Sequence, residues 1–468
     1  MIRRPPRSTQ SRSSAASDVY KRQLFMSINS KILSFMACGS AMYTRKVSNS
    51  KDPDFLKVVQ KLKAADVSFM NFEGQIGHPD AYPIKPYSFA SYFFGEKWIA
   101  KEYAWTGFNL TSLANNHMND WSHEAIYESM KQLDKAGIVY AGAGMNLTAA
   151  REPGYLDTPN GRVALISIDS SHEQGEFVQP PMASDPKGKF KGRPGNNTIR
   201  YDVILDAKKE TIEHLRKIRK ELNLEKFRGR EGDKDKHLFF PNGGNPGITF
   251  RESNEPGFTT ISYQKDVDAN LKWIKNAKEM ADYVIVSHHT HANGNKKTGP
   301  YAEVPADFVT KFAHDAIDAG ADICLFHGMH GKGIEIYKGK PIFYDLGWFS
   351  WMVETLPRFP YDLYDNWELD PYNSLPIDIT NARPAGQFGV SPLWNQGFMF
   401  DFKMQNGKVI EIKLHPMHMG RHLPLWERGL PRIAEGKVAK EILSRQIGMS
   451  KELGTEIIIE NDIGVVKL

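Results

Sequence analysis

Short apolar runs alternate with segments of helical periodicity along most of the chain. The apolar runs predict strands at 34–38, 67–74, 108–114, 162–168, 283–287, 322–326, 334–337 and 341–346. Apolar residues that recur every three or four positions predict helices at 54–65, 96–106, 122–136, 267–281 and 305–319. This alternation is typical of an α/β fold with a largely parallel sheet.

The predicted helix ends follow capping chemistry. We expect Ser122 to cap one helix through its hydroxyl group and Gly137 to end the same helix. Pro305 is expected to open a later helix, because proline is tolerated in a first helical turn, and Gly320 is expected to close it.

Two segments depart from the alternation. In the tail, FMFDF, KVIEIKL and TEIIIE predict short antiparallel strands without long helices between them. Residues 172–262 are rich in Gly, Pro, Asn and charge, and contain one predicted helix at about 206–223. The position of this segment between two strands with polar ends favours a lid or substrate-binding insertion over a disordered spacer.

The charge of the chain is concentrated in its first 23 residues. The formal net charge is +5, but residues 1–23 hold six basic residues and one acidic residue, and the remainder is balanced. We expect residues 1–23 to be a non-native or disordered leader, which leaves cytoplasmic and exported locations open. The balanced remainder, 31–468, is interpreted as one domain without the basic surface of a nucleic-acid-binding protein. It has no apolar run long enough to predict a membrane span.

Polar side chains follow several of the predicted strands. A single histidine is more often a core or surface residue than a ligand, but sites in α/β sheets form outside the carboxyl ends of strands. Imidazole and carboxylate groups suit Zn, Mn or Fe, so the set predicts a metal site. Its members are Glu73 in NFEG, Asn115, Asn116 and His117 in NNH, His288, His289 and His291 in HHTH, and His327 and His330 in HGMHG.

The motifs around these residues resemble those of a known family. They are NFEG at 71–74, SLANNH at 112–117, VSHHTH at 286–291, HGMHGKGIEIYKGKPIFYDLGWF at 327–349, and the ending GTEIIIENDIGVVKL. Over most of residues 34–468, the chain resembles the poly-γ-glutamate capsule-synthesis (CapA-type) family of the calcineurin-like metallophosphoesterase superfamily. The resemblance implies an α/β/β/α sandwich of two sheets, with the metal site at strand ends and 172–262 as a lid-like insertion.

The resemblance also implies roles for individual residues. His117 would donate a proton to the leaving group, His291 would face the substrate or a second ion, and Arg45 would bind an anionic group of the substrate. One or two divalent ions (Zn, Mn or Fe) would be held by Glu73, Asn116, His289, His327 and His330.

Three features depart from the family pattern. Ser40 stands where the family has a metal-binding aspartate, and a neutral hydroxyl is a poor ligand for a divalent ion. Trp348 stands where the family usually has asparagine, and the loop after His330 is one residue shorter. Because Ser40 replaces this aspartate, we expect a site that holds one ion, binds it weakly, or is inactive.

Two classes of function are compatible with these residues. The first is a metal-dependent hydrolase that acts on a phosphoester or a γ-glutamyl amide, with an anionic small molecule or a poly-γ-glutamate-like chain as substrate. The alternative is a non-catalytic binding or assembly component of polyglutamate synthesis or export, with a degenerate metal site. A dinucleotide-binding enzyme is disfavoured, because no G-x-G-x-x-G follows the first strand.

Overall fold

The computed structural model describes residues 31–84, 92–171, 182–226, 237–242, 245–328, 332–382 and 392–468. The predicted leader at 1–23 and the predicted ligand His330 lie outside these ranges. In the described part of the chain, helices alternate with strands of several sheets, so the predicted mixed α/β class is confirmed.

The larger of the two main sheets joins both ends of the chain. In spatial order its strands are Ile457–Glu460, Ile463–Val466, Lys408–His418, Gln396–Gln405, Leu33–Met42, Val67–Phe72, Leu110–Ser112 and Val139–Ala141. Trp348–Trp351 also pairs with Leu33–Met42, and Arg432–Ile433 pairs with Lys408–His418. The last four strands of the spatial order are mutually parallel, whereas the tail strands pair antiparallel, as predicted.

The second sheet has a parallel centre and antiparallel edges. Its spatial order is Ile334–Tyr337, Lys340–Phe343, Ile323–His327, Tyr283–His289, Gly161–Asp169 and Gly154–Thr158. Only the two outermost pairings are antiparallel.

The two main sheets share one apolar core. Side chains alternate between the faces of a strand, so Phe35 and Phe69 of the larger sheet pack with Leu165, Ile285 and Leu325 of the second. The opposite face of the larger sheet packs against helices Pro53–Ala64, Ile99–Thr106 and Ser122–Ala136. The opposite face of the second sheet packs against helices Gln264–Met280 and Asp307–Ala319. The finer assignment to the metallophosphoesterase-type sandwich stays a prediction.

Some predicted boundaries are wrong. Ser122 is the first helical residue, with φ of 31°, and Trp121 occupies the cap position without a side-chain hydrogen bond. Pro305 ends strand Gly299–Pro305, and the next helix begins at Asp307. Gly137 and Gly320 follow the ends of their helices with φ of 72° and 120°, as expected where a helix stops.

The tail also contains a helix that the pattern did not predict. Helix Gly436–Glu452 has 17 residues and lies between strands Lys408–His418 and Ile457–Glu460. Its buried face includes Gln446 and Ser450, and these polar residues interrupt the apolar repeat that would have indicated a helix.

The described part of 172–262 is structured. It contains helix Lys209–Glu221, close to the predicted helix, and a separate four-stranded sheet. The spatial order of this sheet is His237–Asn242, Asn245–Glu252, Tyr201–Ala207 and Gly257–Ser262. The lid role of the segment stays a prediction.

The remaining elements are short. Three strand pairs are Gln75–Ile76 with Phe94–Gly95, Ala143–Gly144 with Gly195–Asn196, and Asn293–Asn295 with Gly299–Pro305. The other helical segments are Leu147–Arg151, Val353–Thr355, Tyr361–Asn366, Pro376–Ala382 and Pro392–Asn395. No helix within the described ranges combines the length and the apolar character that crossing a membrane requires.

Candidate functional site

Strand register brings the polar strand ends to one edge of each sheet. In the larger sheet, Ser40 is the register partner of Asn71, and Asn71 is the partner of Ser112. In the second sheet, His289 lies opposite both Asp169 and His327. All of these strands are parallel to their partners, so residues far apart in sequence share a level at the carboxyl ends.

Asn71 connects the two sheets at this edge. Its Nδ2 group donates to Ser40 Oγ at 3.0 Å and to Glu73 Oε2 at 3.3 Å. The same nitrogen lies 3.5 Å from His289 Nδ1 on the second sheet. Asn71, Ser40, Glu73 and His289 are all buried. Hence one amide group joins the carboxylate, the hydroxyl and one imidazole of the predicted site.

His289 and His327 form a buried imidazole pair. Their Nδ1 atoms are 2.8 Å apart, and His327 Nε2 is 2.7 Å from Ser287 Oγ. Burial, followed by the nearby histidine His327, lowers the pKa of His289 well below its usual value, and burial likewise lowers the pKa of His327. Both rings are therefore neutral near pH 7, which is the form that binds metals. The ring of His291 lies 5.2 Å from that of His289.

The orientation of His117 is fixed by its own strand end. Asn115 Oδ1 accepts the main-chain N–H of His117 at 3.0 Å, and Asn115 Nδ2 donates to Phe72 O at 2.8 Å. His117 Nδ1 lies 2.7 Å from Asp120 Oδ2, which also accepts the main-chain N–H of Phe93 at 2.7 Å. The other ring nitrogen, Nε2, is 3.8 Å from Glu73 Oε1. This arrangement directs Nε2 of a buried imidazole towards the carboxylate.

Three residues of this neighbourhood, Asp120, Asp169 and Asn196, were not predicted from the sequence. Asp120 follows His117 by three positions, and this local spacing could have indicated it. Asp169 ends strand Gly161–Asp169, so the strand-end rule that selected the histidines also applies to it. Asn196 donates to Asn115 O at 2.7 Å and to Asp169 Oδ2 at 3.2 Å. No local pattern marks Asn196, because its partners are distant in sequence.

The structure places two of the selected residues elsewhere. Arg45 donates to Thr355 Oγ1 at 3.3 Å and to Arg428 O at 2.5 Å. It lines a cavity of about 780 Å³, and neither His289 nor His327 lines this cavity. Its role towards an anionic substrate stays a prediction. His288 lies in the core, where its Nε2 is 2.7 Å from Ser170 Oγ and its ring packs edge-on against Phe312.

The donor chemistry fits a divalent ion, although the ligand set is incomplete. Within the described ranges, no three His, Cys, Asp or Glu side chains are grouped as a metal site requires, and His330 lies outside those ranges. His289 Nε2 is buried and has no hydrogen-bond partner among the described residues, which suits a ligand atom. With Ser40 hydrogen-bonded to Asn71, Glu73 is the carboxylate of the predicted ligand set.

A family profile and several known proteins are similar to this chain. The family profile described as "Bacterial capsule synthesis protein PGA_cap" matches residues 34–350. The uncharacterized protein y4sH of Sinorhizobium fredii is 32% identical over 446 residues, which cover 92% of each chain. Capsule biosynthesis protein CapA of Bacillus anthracis is 24% identical over 310 residues, which cover 66% of this chain and 56% of CapA.

A solved structure of a hypothetical protein from Thermus thermophilus aligns with 82% of this chain and 99% of its own chain. The TM-score is 0.36 and the identity is 12%, values that do not establish a shared fold. The family profile, in contrast, spans more than half of the chain and includes the strand ends that carry Glu73, His117, His289 and His327. The chain therefore belongs to the bacterial capsule synthesis protein family.

Proposed function

We propose that this protein is a metal-dependent hydrolase of capsular polyglutamate metabolism that cleaves a phosphoester or a γ-glutamyl amide. The observation that carries the proposal is the hydrogen-bonded pair His117–Asp120. The other ring nitrogen of His117, Nε2, lies 3.8 Å from Glu73 Oε1. Asn71 links Glu73 to His289, which pairs with His327.

Asp120 and His117 have the geometry of an oriented acid–base pair. A carboxylate bonded to Nδ1 favours the tautomer that carries its proton there, so Nε2 is left to exchange a proton with the substrate. Asp120 is held by the main chain of Phe93, which limits rotation of its carboxylate. When both of its ring nitrogens carry a proton, His117 would release the proton of Nε2 to the leaving oxygen of a phosphoester or the leaving nitrogen of an amide.

Glu73, Asn116, His289, His327 and His330 would hold the divalent ion. When bound, the ion would polarise the scissile group as a Lewis acid. Asn71 keeps Glu73 and His289 close together through its Nδ2 group, and His291 packs beside His289, where it would face the substrate. The resemblance of the motifs to those of the poly-γ-glutamate capsule-synthesis family supports a glutamate polymer as the substrate.

A second candidate is a non-catalytic binding or assembly component of polyglutamate synthesis or export. The observation that favours it is the contact between Ser40 and Asn71, in which a neutral hydroxyl occupies the place of the expected carboxylate ligand. A site with this substitution has less negative charge to hold an ion.

One experiment separates the two candidates. Purified protein would be loaded with Zn, Mn or Fe, its metal content measured, and hydrolysis of nitrophenyl phosphates and of γ-glutamyl nitroanilide followed. His117→Ala should abolish turnover with metal content unchanged. His314→Ala, which removes a histidine paired with Glu335 away from the site, should leave turnover unchanged.

The outcomes are distinct. Turnover that His117→Ala leaves intact excludes the proposed proton transfer. A wild-type protein that retains no metal and hydrolyses neither class of substrate supports the binding or assembly component instead.

A further inference from the structure

A short hairpin with several basic residues lies next to the candidate site. Ser184 and Arg193 exchange main-chain hydrogen bonds of 3.0 and 2.9 Å, and Lys187 and Phe190 exchange two of 3.1 Å. Gly188, with φ of 59°, occupies the first position of the two-residue turn, where a left-handed conformation favours glycine. These bonds define residues 184–193 as a tight antiparallel hairpin, here named the basic hairpin.

The basic hairpin concentrates positive charge and one aromatic ring. Lys187, Lys189, Lys191 and Arg193 lie within seven residues, and no acidic residue occurs from 186 to 194. All four are exposed, and the three lysines form no ion pair with another described residue. Phe190 is 80% exposed at the tip. The charge of the chain after its first 23 residues is balanced, so this local excess is not a reflection of overall composition.

The base of the hairpin is anchored in the site. Met182 forms a bridge with Asn196, and Asn196 donates to the main chain of Asn115 and to Asp169. Asn197 N donates to Gly142 O at 2.8 Å, next to the larger sheet. These contacts fix the start of the hairpin against the residue that precedes Asn116 and His117.

We infer that the basic hairpin binds the polycarboxylate chain on which the site acts, at a distance from the scissile bond. A γ-linked glutamate chain carries one carboxylate and two backbone methylene groups per residue. The lysines complement the carboxylates, and the exposed ring of Phe190 offers apolar contact to the methylene groups. The inference rests on the proposed function for the identity of the polymer, although it concerns binding alone.

Two alternative roles of the basic hairpin lead to different outcomes. Lysines on an exposed hairpin also discourage pairing with the edges of other chains, and such a role requires no ligand. A polyphosphate such as nucleic acid would also be attracted by the charge, but it would bind without preference for carboxylates.

Binding of a fluorescent γ-glutamate oligomer to the full chain tests the inference. Fluorescence anisotropy would give Kd at several salt concentrations. The triple variant Lys187→Gln, Lys189→Gln, Lys191→Gln should bind about tenfold more weakly, since it removes three positive charges whose exposed ion pairs each contribute a small part of the affinity. Its binding should also depend less on salt. The corresponding arginine triple variant keeps the charge and should bind like the wild type.

The matched control removes three lysines elsewhere. Lys265→Gln, Lys272→Gln and Lys275→Gln change the net charge equally on the exposed side of helix Gln264–Met280, and this variant should keep wild-type affinity. Equal loss in both triple variants, unchanged affinity in the hairpin variant, or no binding by the wild type overturns the inference. Stronger binding of single-stranded RNA than of the γ-glutamate oligomer excludes the polycarboxylate as ligand.

Hydrolysis of the small nitrophenyl and nitroanilide substrates separates this inference from the proposed function. These substrates carry at most one carboxylate and therefore offer no polycarboxylate chain to the hairpin, so the glutamine triple variant should hydrolyse them like the wild type. Wild-type protein that binds the oligomer through the hairpin but hydrolyses nothing would support the inference while the hydrolase proposal fails.

Discussion

Ser40 and Trp348 are register partners on the neighbouring parallel strands Leu33–Met42 and Trp348–Trp351. The two positions that depart from the family pattern are therefore adjacent in the fold, although they are far apart in sequence. The indole of Trp348 packs 4.1 Å from that of Trp351, so this side of Ser40 is apolar. A neutral side chain at position 40 suits such a neighbour, since an unpaired buried carboxylate is costly.

Restoring the carboxylate should couple ion binding to stability. Ser40→Asp should lower the melting temperature without metal, because it buries a charge beside Trp348. Addition of Zn or Mn should then raise the melting temperature more than it does in the wild type, because an ion that binds the folded state stabilises it. Thermal unfolding with and without the ion measures both effects. Ser40→Ala is the control, and an equal metal-induced shift in all three proteins contradicts a ligand role for position 40.

Asp120→Asn should lower kcat by about a hundredfold, the lower range for loss of an oriented acid–base group. Asparagine can still accept the main-chain N–H of Phe93, so unfolding free energy should change little. KM should change little, because Asp120 acts on the orientation of His117 and not on the substrate. Glu124→Gln removes an exposed carboxylate four positions away and should leave kcat unchanged. An unchanged kcat in Asp120→Asn argues for a purely structural Asp120.

The buried imidazole pair should make the protein sensitive to acid. The pKa values of His289 and His327 are lowered in the folded state, so the unfolded chain binds more protons below its own pKa of about 6.5. The free energy of unfolding should therefore fall as pH falls below about 6.5, by about 1.4 kcal/mol per pH unit for each histidine. Above that pH the contribution of the pair to stability is fully present.

Denaturant unfolding at several pH values between about 7 and 5 measures this slope. His327→Gln should have a shallower slope than the wild type, by the share of one histidine. The exposed His422→Gln serves as control and should keep the wild-type slope. Parallel curves for wild type and His327→Gln would show that this imidazole does not titrate on unfolding.

The tail helix Gly436–Glu452 supports the loop that follows His327. Ser450 Oγ accepts the main-chain N–H of Ile334 at 3.1 Å, and Gln446 Nε2 donates to Lys332 O at 3.1 Å, all in the buried interior. Ser450→Ala should lower the free energy of unfolding by about 1–3 kcal/mol, because it leaves a buried N–H without an acceptor. Lys451→Ala, at an exposed neighbouring position, should change it by less than about 0.5 kcal/mol. Chemical denaturation of the wild type and both variants measures these free energies of unfolding. Equal values for the wild type and Ser450→Ala would mean that water replaces the serine hydroxyl as acceptor.

Periodicity predicted most parallel strands of the two main sheets, because their buried sides give long apolar runs such as VIVS before His288. It did not predict the short parallel strands Val139–Ala141 and Trp348–Trp351. It failed for the small sheet of the insertion, where burial is partial and glycine and proline are frequent. Strand Tyr201–Ala207, for example, has only two buried residues, Ile204 and Asp206. Asp206 is held by Arg251 from the neighbouring strand, a non-local ion pair that no single segment reveals.

The site was predictable where its residues follow strands and unpredictable where they act across the fold. Glu73, His289 and His327 each follow or end a strand, so topology alone predicts that they converge. The hydrogen bonds of Asn71 and Asn196 depend on how the two sheets and the insertion pack, and this is not a property of any local window. The orientation of His117 depends on Asp120 and Phe93, which come from different segments.

Residues 34–350, which match the family profile, do not contain all the strands of the larger sheet. Strand Leu33–Met42, which carries Ser40, is hydrogen-bonded along Leu33–Cys38 to strand Gln396–Gln405, beyond that region. A fragment cut at residue 350 would leave a long apolar edge in the middle of the larger sheet, open to aggregation. The end of the matched region at residue 350 therefore does not mark a segment that could be exchanged between proteins as an autonomous module.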